Sequence, residues 1–148
     1  MTNTFEPEIV AFCCHYCAYT AADMAGSKRI SYPANVKIIR VPCTGKVDAI
    51  HIMKALQKGA DGVYVAGCLE GDCHFKTGNI RAARRVRRVQ TLLEEIGWDG
   101  RRVEMITMSA GMGERFARTA SEFTEKIREL GPSPVSRAVR ETGRQAAG

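Results

Sequence analysis

Four short apolar runs, each followed by a stretch of helical periodicity, constrain this chain more than any other feature. The runs fall near 8–14, 36–43, 62–68 and 103–108, and the helical stretches near 20–28, 48–58, 79–96 and 114–130. Strands alternating with helices predict right-handed crossovers and a parallel sheet. The expected fold class is α/β: a small open parallel sheet of about four strands with flanking helices. Asp48 is placed to cap the second helix and Gly59 to end it. On the third helix Ala83, Val86, Val89 or Gln90, Leu93 and Ile96 form the expected buried stripe, with Arg81, Arg84, Arg85 and Arg88 on another face.

At 148 residues the chain can bury a core without disulfide staples. One domain is expected over 1–132, closed by Gly131-Pro132, with a flexible tail over 133–148. No apolar run approaches the ~18–20 residues of a membrane span. The N-terminus lacks a basic segment followed by an apolar one, so a cytoplasmic location is expected. In a reducing compartment the six cysteines read as metal ligands or redox thiols rather than disulfides.

Their placement carries the chemistry. Cys13-Cys14, Cys43 and Cys68 each stand where an apolar run ends, and ligands bind at the carboxyl ends of strands in open parallel sheets. In the flavodoxin-like order 2-1-3-4, strands 1, 2 and 3 are neighbours. Cys14, Cys43 and Cys68 then lie along one edge, and Cys73 folds over from its loop. Cys13 is expected on the opposite face from Cys14, because successive strand residues alternate, and so in the core.

Three chemistries compete for these thiols. An iron–sulfur cluster on four cysteines uses most of the set. A zinc knuckle would want two Cys-x-x-Cys pairs, and only Cys14-His-Tyr-Cys17 has that spacing. A Cys14–Cys17 dithiol at a helix N-terminus would leave Cys43, Cys68 and Cys73 unexplained. The residues favour the cluster over zinc, and zinc over dithiol chemistry; they do not choose between Cys14 and Cys17 as ligand. His15, Tyr16 and His74 are expected around the cluster, with Gly67 letting backbone approach, although tight turns explain the local glycines equally well. His51 reads as a surface or half-buried residue, and Ser109-Ala-Gly-Met-Gly113 as a tight turn rather than a phosphate loop.

The net charge of +6 is concentrated in Arg81, Arg84, Arg85, Arg87 and Arg88, to which Arg101, Arg102, Arg137 and Arg140 add. A nucleic-acid face is one reading, but aromatic residues are scarce near it and no recognised motif accompanies it. A solvated face, or a docking face for an acidic partner, fits better.

The ordered blocks Phe12-Cys-Cys-His-Tyr-Cys-Ala-Tyr-Thr-Ala-Ala-Asp23, Val36-Lys-Ile-Ile-Arg-Val-Pro-Cys-Thr-Gly-Lys-Val-Asp48 and Gly67-Cys-Leu-Glu-Gly-Asp-Cys-His-Phe75 resemble the delta subunit of methyl-viologen-reducing hydrogenase. Tyr32-Pro33, Gly59-Ala-Asp-Gly62, Gly78-Asn79, Ser109-Ala110 and Leu130-Gly-Pro132 extend the likeness over roughly residues 8–132. The resemblance implies a 2Fe–2S cluster on Cys14 or Cys17, Cys43, Cys68 and Cys73. It implies electron relay between a catalytic oxidoreductase, of hydrogenase, formate dehydrogenase or methylenetetrahydrofolate reductase type, and a heterodisulfide-reductase-A-like flavoprotein. A zinc-stabilised adaptor and a thiol–disulfide protein are the alternatives.

Overall fold

The computed structural model describes residues 5–15, 17–27, 33, 35–68 and 77–147. Four strands, β1 (Ile9–Cys14), β2 (Val36–Val41), β3 (Gly62–Gly67) and β4 (Val103–Thr107), form a parallel sheet in the order β2-β1-β3-β4. The helices are α1 (Ala18–Ser27), α2 (Ala49–Gln57), α3 (Gly78–Glu95), α4 (Gly113–Leu130) and α5 (Pro134–Ala147). The α/β class and the strand order are those expected.

Both faces of the sheet are covered, as a parallel sheet requires. Ile9, Ala11 and Cys13 alternate onto one face, beneath Ala18, Ala21 and Ala25 of α1 and Phe116, Ala120, Phe123 and Ile127 of α4. Phe12, Val63 and Val65 contribute to the other, beneath Ile52 and Leu56 of α2 and Ala82, Val86, Val89 and Leu93 of α3. Alanine dominates α1 because α4 approaches closely: a Cβ on Gly113 would lie 3.1 Å from the backbone N of Ala25.

Two local expectations are met by detailed geometry. Asp48 caps α2 through Ala49 N at 2.8 Å, and His51 Nδ1 accepts from Asp48 N at 2.9 Å. Gly59 follows α2 at φ +110°, a region that favours glycine. The α3 stripe differs by one position at its start: Ala82, not Ala83, is buried, and Ile96 is 61% exposed. Ile96 is the residue that ends the helix, beyond its last turn, so helical periodicity no longer predicts its direction.

From residue 133, where a flexible tail was expected, the backbone forms α5. Gly131 ends α4 at φ +82°, and Ser133 starts the next helix by accepting from Ser136 N on its Oγ at 3.1 Å. Pro134 occupies the first helical position, where a missing N–H costs nothing. Gly-Pro reads as a stop, whereas here it is a corner between two helices.

At the amino edge of the sheet, a buried charge joins these pieces. Asp61, fully buried, accepts from Glu8 N at 2.8 Å and from Ser133 N at 3.0 Å. Arg102, also buried, donates to the carbonyls of Asp61 at 3.0 Å and Gly131 at 2.9 Å. Burial pushes the Arg102 guanidinium below its usual range, against the Asp61 and Asp99 carboxylates, which raise it. The opposite edge is thereby left to the cysteines.

Candidate metal centre

Three thiols meet at the carboxyl edge. Cys14 is the last residue of β1, Cys17 begins the turn into α1, and Cys68 follows β3 directly. Cys17 Sγ lies 3.0 Å from Cys68 Sγ, and Cys14 Sγ 3.8 Å from Cys68 Sγ. All three ligand atoms fall within 4.8 Å of one another, and all three residues are buried. The parallel register makes this possible: β1 and β3 pair Cys13 with Ala66, so both strands run off the sheet at the same level. Ala21 N donates to Cys17 O at 2.8 Å, setting Cys17 at the amino end of α1.

Cys43 reaches the same edge after β2 but stands outside this group of three. It is 4% exposed, and its Sγ accepts from Gly45 N at 3.4 Å as the chain enters a 3-10 turn, Thr44–Lys46. Cys13 points into the core beneath α1 and α4, as alternation predicts. Tyr16, Cys73 and His74 lie outside the described residues. His15 is exposed; its ring stacks on Tyr19 with centroids 6.3 Å apart, and its backbone N–H continues the β1–β2 ladder to Val41 O at 2.8 Å.

Gly67 has a packing reason of its own. A Cβ there would lie 3.0 Å from Thr44 Oγ1 and 3.0 Å from Met105 Cε. Thr44, the residue after Cys43, therefore seats directly on the end of β3. Gly45 is similarly close to α3, where a Cβ would lie 2.9 Å from the Gly78 Cα. These glycines let the Cys43 loop press against the two elements that flank Cys68.

Sequence patterns did not single out two residues that support the site. Asn79 is 4% exposed; its Nδ2 donates to Cys68 O at 3.1 Å and its Oδ1 accepts from Ile80 N at 2.9 Å. Arg85, assigned to the outer face of α3, instead turns its Nη1 to the carbonyls of Gly45 and Val47. An asparagine at the start of a helical pattern was the available signal for the first. Nothing in the arginine spacing separates Arg85 from its neighbours.

The electrostatics of the thiols follow from crowding. The hydrogen bond with Cys14 comes first in raising the Cys17 thiol, followed by burial and by the contact with Cys68. Burial pushes the Cys13 thiol up to about 12, with Cys14 adding to it. A thiol raised in this way, as Cys17 is, keeps its proton until a cation takes that proton's place. The amino end of α1, with no acidic residue in its first turn, presents backbone N–H groups to the resulting negative charge. Three convergent, buried sulfur donors suit a soft metal and would not suit magnesium or calcium.

Residues 9–131 match the family described as methyl-viologen-reducing hydrogenase, delta subunit. The chain belongs to that family. Among similar proteins, the iron-sulfur subunit of this kind in the F420-non-reducing hydrogenase of Archaeoglobus profundus is 48% identical over 137 residues, 93% of this chain and 100% of that one. The vhu iron-sulfur subunit of the F420-non-reducing hydrogenase in Methanocaldococcus jannaschii is 46% identical over 130 residues, 88% of this chain and 97% of that one. A longer chain of the ferredoxin:CoB-CoM heterodisulfide reductase of Methanosarcina mazei is 40% identical over 139 residues, 93% of this chain but only 18% of that protein.

In this member of the delta-subunit family the three grouped thiols belong to two of the conspicuous cysteine blocks, one at each of two adjacent strand ends. Among the described residues, no helix is long and apolar enough to cross a membrane.

Proposed function

We propose that this chain is a non-catalytic electron-transfer subunit that carries a 2Fe–2S cluster at the carboxyl edge of its sheet. Cys14, Cys17 and Cys68 form the nucleus of the ligand set, and Cys43 and Cys73 are the further candidates. The single observation that carries the reading is the burial of three thiols within 4.8 Å of one another. The relatives named as hydrogenase iron-sulfur subunits support the choice of iron over zinc. A bound cluster of this kind supplies one-electron chemistry, with a potential set by its surroundings.

The residues of the chain do the rest. Burial of the three cysteines limits water around the sulfurs, which disfavours added charge, and the amino end of α1 offsets it. Asn79 holds the Cys68 backbone and Arg85 holds the Cys43 loop. His15, Tyr16 and His74 are assigned to the surroundings of the cluster. The partners assigned are a catalytic oxidoreductase and a heterodisulfide-reductase-A-like flavoprotein. The match to one segment of a longer heterodisulfide reductase chain supports the second assignment, since segments joined in one protein often meet as separate chains in another.

Anaerobically purified protein tests the reading through its visible and EPR spectra before and after dithionite, with iron and zinc counted. About two irons per chain and a bleachable brown colour are expected. A colourless protein holding zinc would replace this reading with a structural adaptor, because zinc has no redox chemistry. Metal-free protein with a Cys14–Cys17 disulfide would replace it with thiol–disulfide exchange.

A further inference from the structure

Between Asn79 and Leu93, α3 carries five arginines and no acidic residue. Arg85 is turned inward onto the Cys43 loop. Arg81, Arg84, Arg87 and Arg88 are exposed, and among the described residues none of them forms an ion pair. Like charges three and four residues apart on a helix repel one another. An anionic surface laid across them would relieve that repulsion.

One end of the patch adjoins the Cys43 loop. The backbones of Gly45 and Gly78 nearly touch, and Arg81 Nη2 would lie 3.4 Å from a Cβ on Gly45. Pro42, Cys43, Gly45, Lys46 and Arg81 line a hollow of about 260 Å³. Its wall thus includes the Cys43 residue, with one cationic side chain contributed by the loop and another by α3.

We propose that Lys46, Arg81, Arg84 and Arg88 form the docking surface for an acidic protein partner, placed so that the partner covers the Cys43 side of the centre. The proposal deepens the electron-transfer reading, on which it rests for the partner's role, by giving the chemistry of the partner's surface. Protein rather than nucleic acid is favoured by two observations. Single strands are gripped by aromatic side chains on which bases stack, and α3 has no aromatic residue. The hollow is also lined by a buried cysteine, Cys43.

Association of the full-length chain with an acidic plant-type ferredoxin, used as the probe, tests this surface in stopped flow. The association rate is expected to fall by about tenfold or more as ionic strength rises from about 0.01 M to about 0.15 M. Arg84→Glu combined with Arg88→Glu should remove most of the low-salt rate, and Arg84→Gln with Arg88→Gln should remove part of it. Circular dichroism of each variant establishes that it is folded. A rate indifferent to salt and to both pairs of substitutions overturns the proposal. So does tighter binding of short duplex DNA than of ferredoxin, lost in the same variants, which would make the face a nucleic-acid surface. Iron is counted on the same samples. Iron-free protein that still associates in a salt-dependent way defeats the cluster reading but keeps the docking surface, and iron-loaded protein that ignores ferredoxin does the reverse.

Discussion

The Cys17 sulfur lies 3.0 Å from the Cys68 sulfur across 51 residues of sequence, so the start of α1 and the end of β3 close on one site. The Cys68 sulfur also lies 3.8 Å from that of Cys14. Cys68→Ser should therefore strip most of the metal, because a hydroxyl is a harder and poorer donor than a thiolate. Iron per chain and visible absorption after anaerobic reconstitution measure the effect. Wild-type iron content in this variant would sink the assignment.

Cys13 is the internal control. It sits one residue from Cys14 but points into the opposite core, and burial pushes its thiol up to about 12. At neutral pH it stays protonated, and it should resist alkylation until the protein unfolds. Cys13→Ala is expected to keep the full metal content at a cost of about 1 kcal/mol in stability. Mass-spectrometric mapping of alkylated thiols, with and without denaturant, checks the first point, and urea titration the second.

Asn79 links α3 to the Cys68 backbone by a buried hydrogen bond of 3.1 Å. Asn79→Ala should cost about 1–3 kcal/mol, the range for leaving a buried partner unsatisfied. It should also lower metal retention, because Cys68 loses its anchor. Asn79→Asp keeps an acceptor for Ile80 N yet cannot donate to the Cys68 carbonyl. Metal loss in Asp and Ala alike would assign the effect to the lost donor, whereas retention in both would assign Asn79 to helix capping alone.

Asp61 supports the far edge of the sheet. Its carboxylate bonds to the backbone of Glu8 and Ser133, and Arg102 bridges the Asp61 and Gly131 carbonyls. Asp61→Ala should destabilise the protein by about 1–3 kcal/mol for each backbone N–H left without its acceptor. Reconstituted iron per folded chain should hold, because this network lies at the opposite end of the strands from the thiols. Denaturation midpoint and iron content, measured on one sample, separate the two effects.

Much of this was legible in the residues. Apolar runs alternating with helical periodicity dictate a parallel sheet, because buried strands read as continuous apolar segments and the intervening helices must cover both faces. Cysteines at the strand ends follow the same logic, and the two-residue period of β1 sends Cys13 and Cys14 to opposite faces. The helix at 134–147 was hidden because Gly131-Pro132 reads as a terminus. Its own start signal, Ser133 followed by Pro134 at the first helical position, lies in the residues read as a tail.

The sequence by itself determined the order of elements, the faces of the strands and the family, since these depend on local periodicity and on ordered motifs. Only the tertiary structure decided that Cys14, Cys17 and Cys68 converge in a group that does not include Cys43, and that Arg85 turns inward while Arg84, Arg87 and Arg88 are exposed. Those outcomes depend on strand register, on the end of β3 that seats Thr44 against Gly67, and on the close approach of Gly45 to Gly78. Distances between side chains far apart in sequence are set by packing, and no local pattern encodes them.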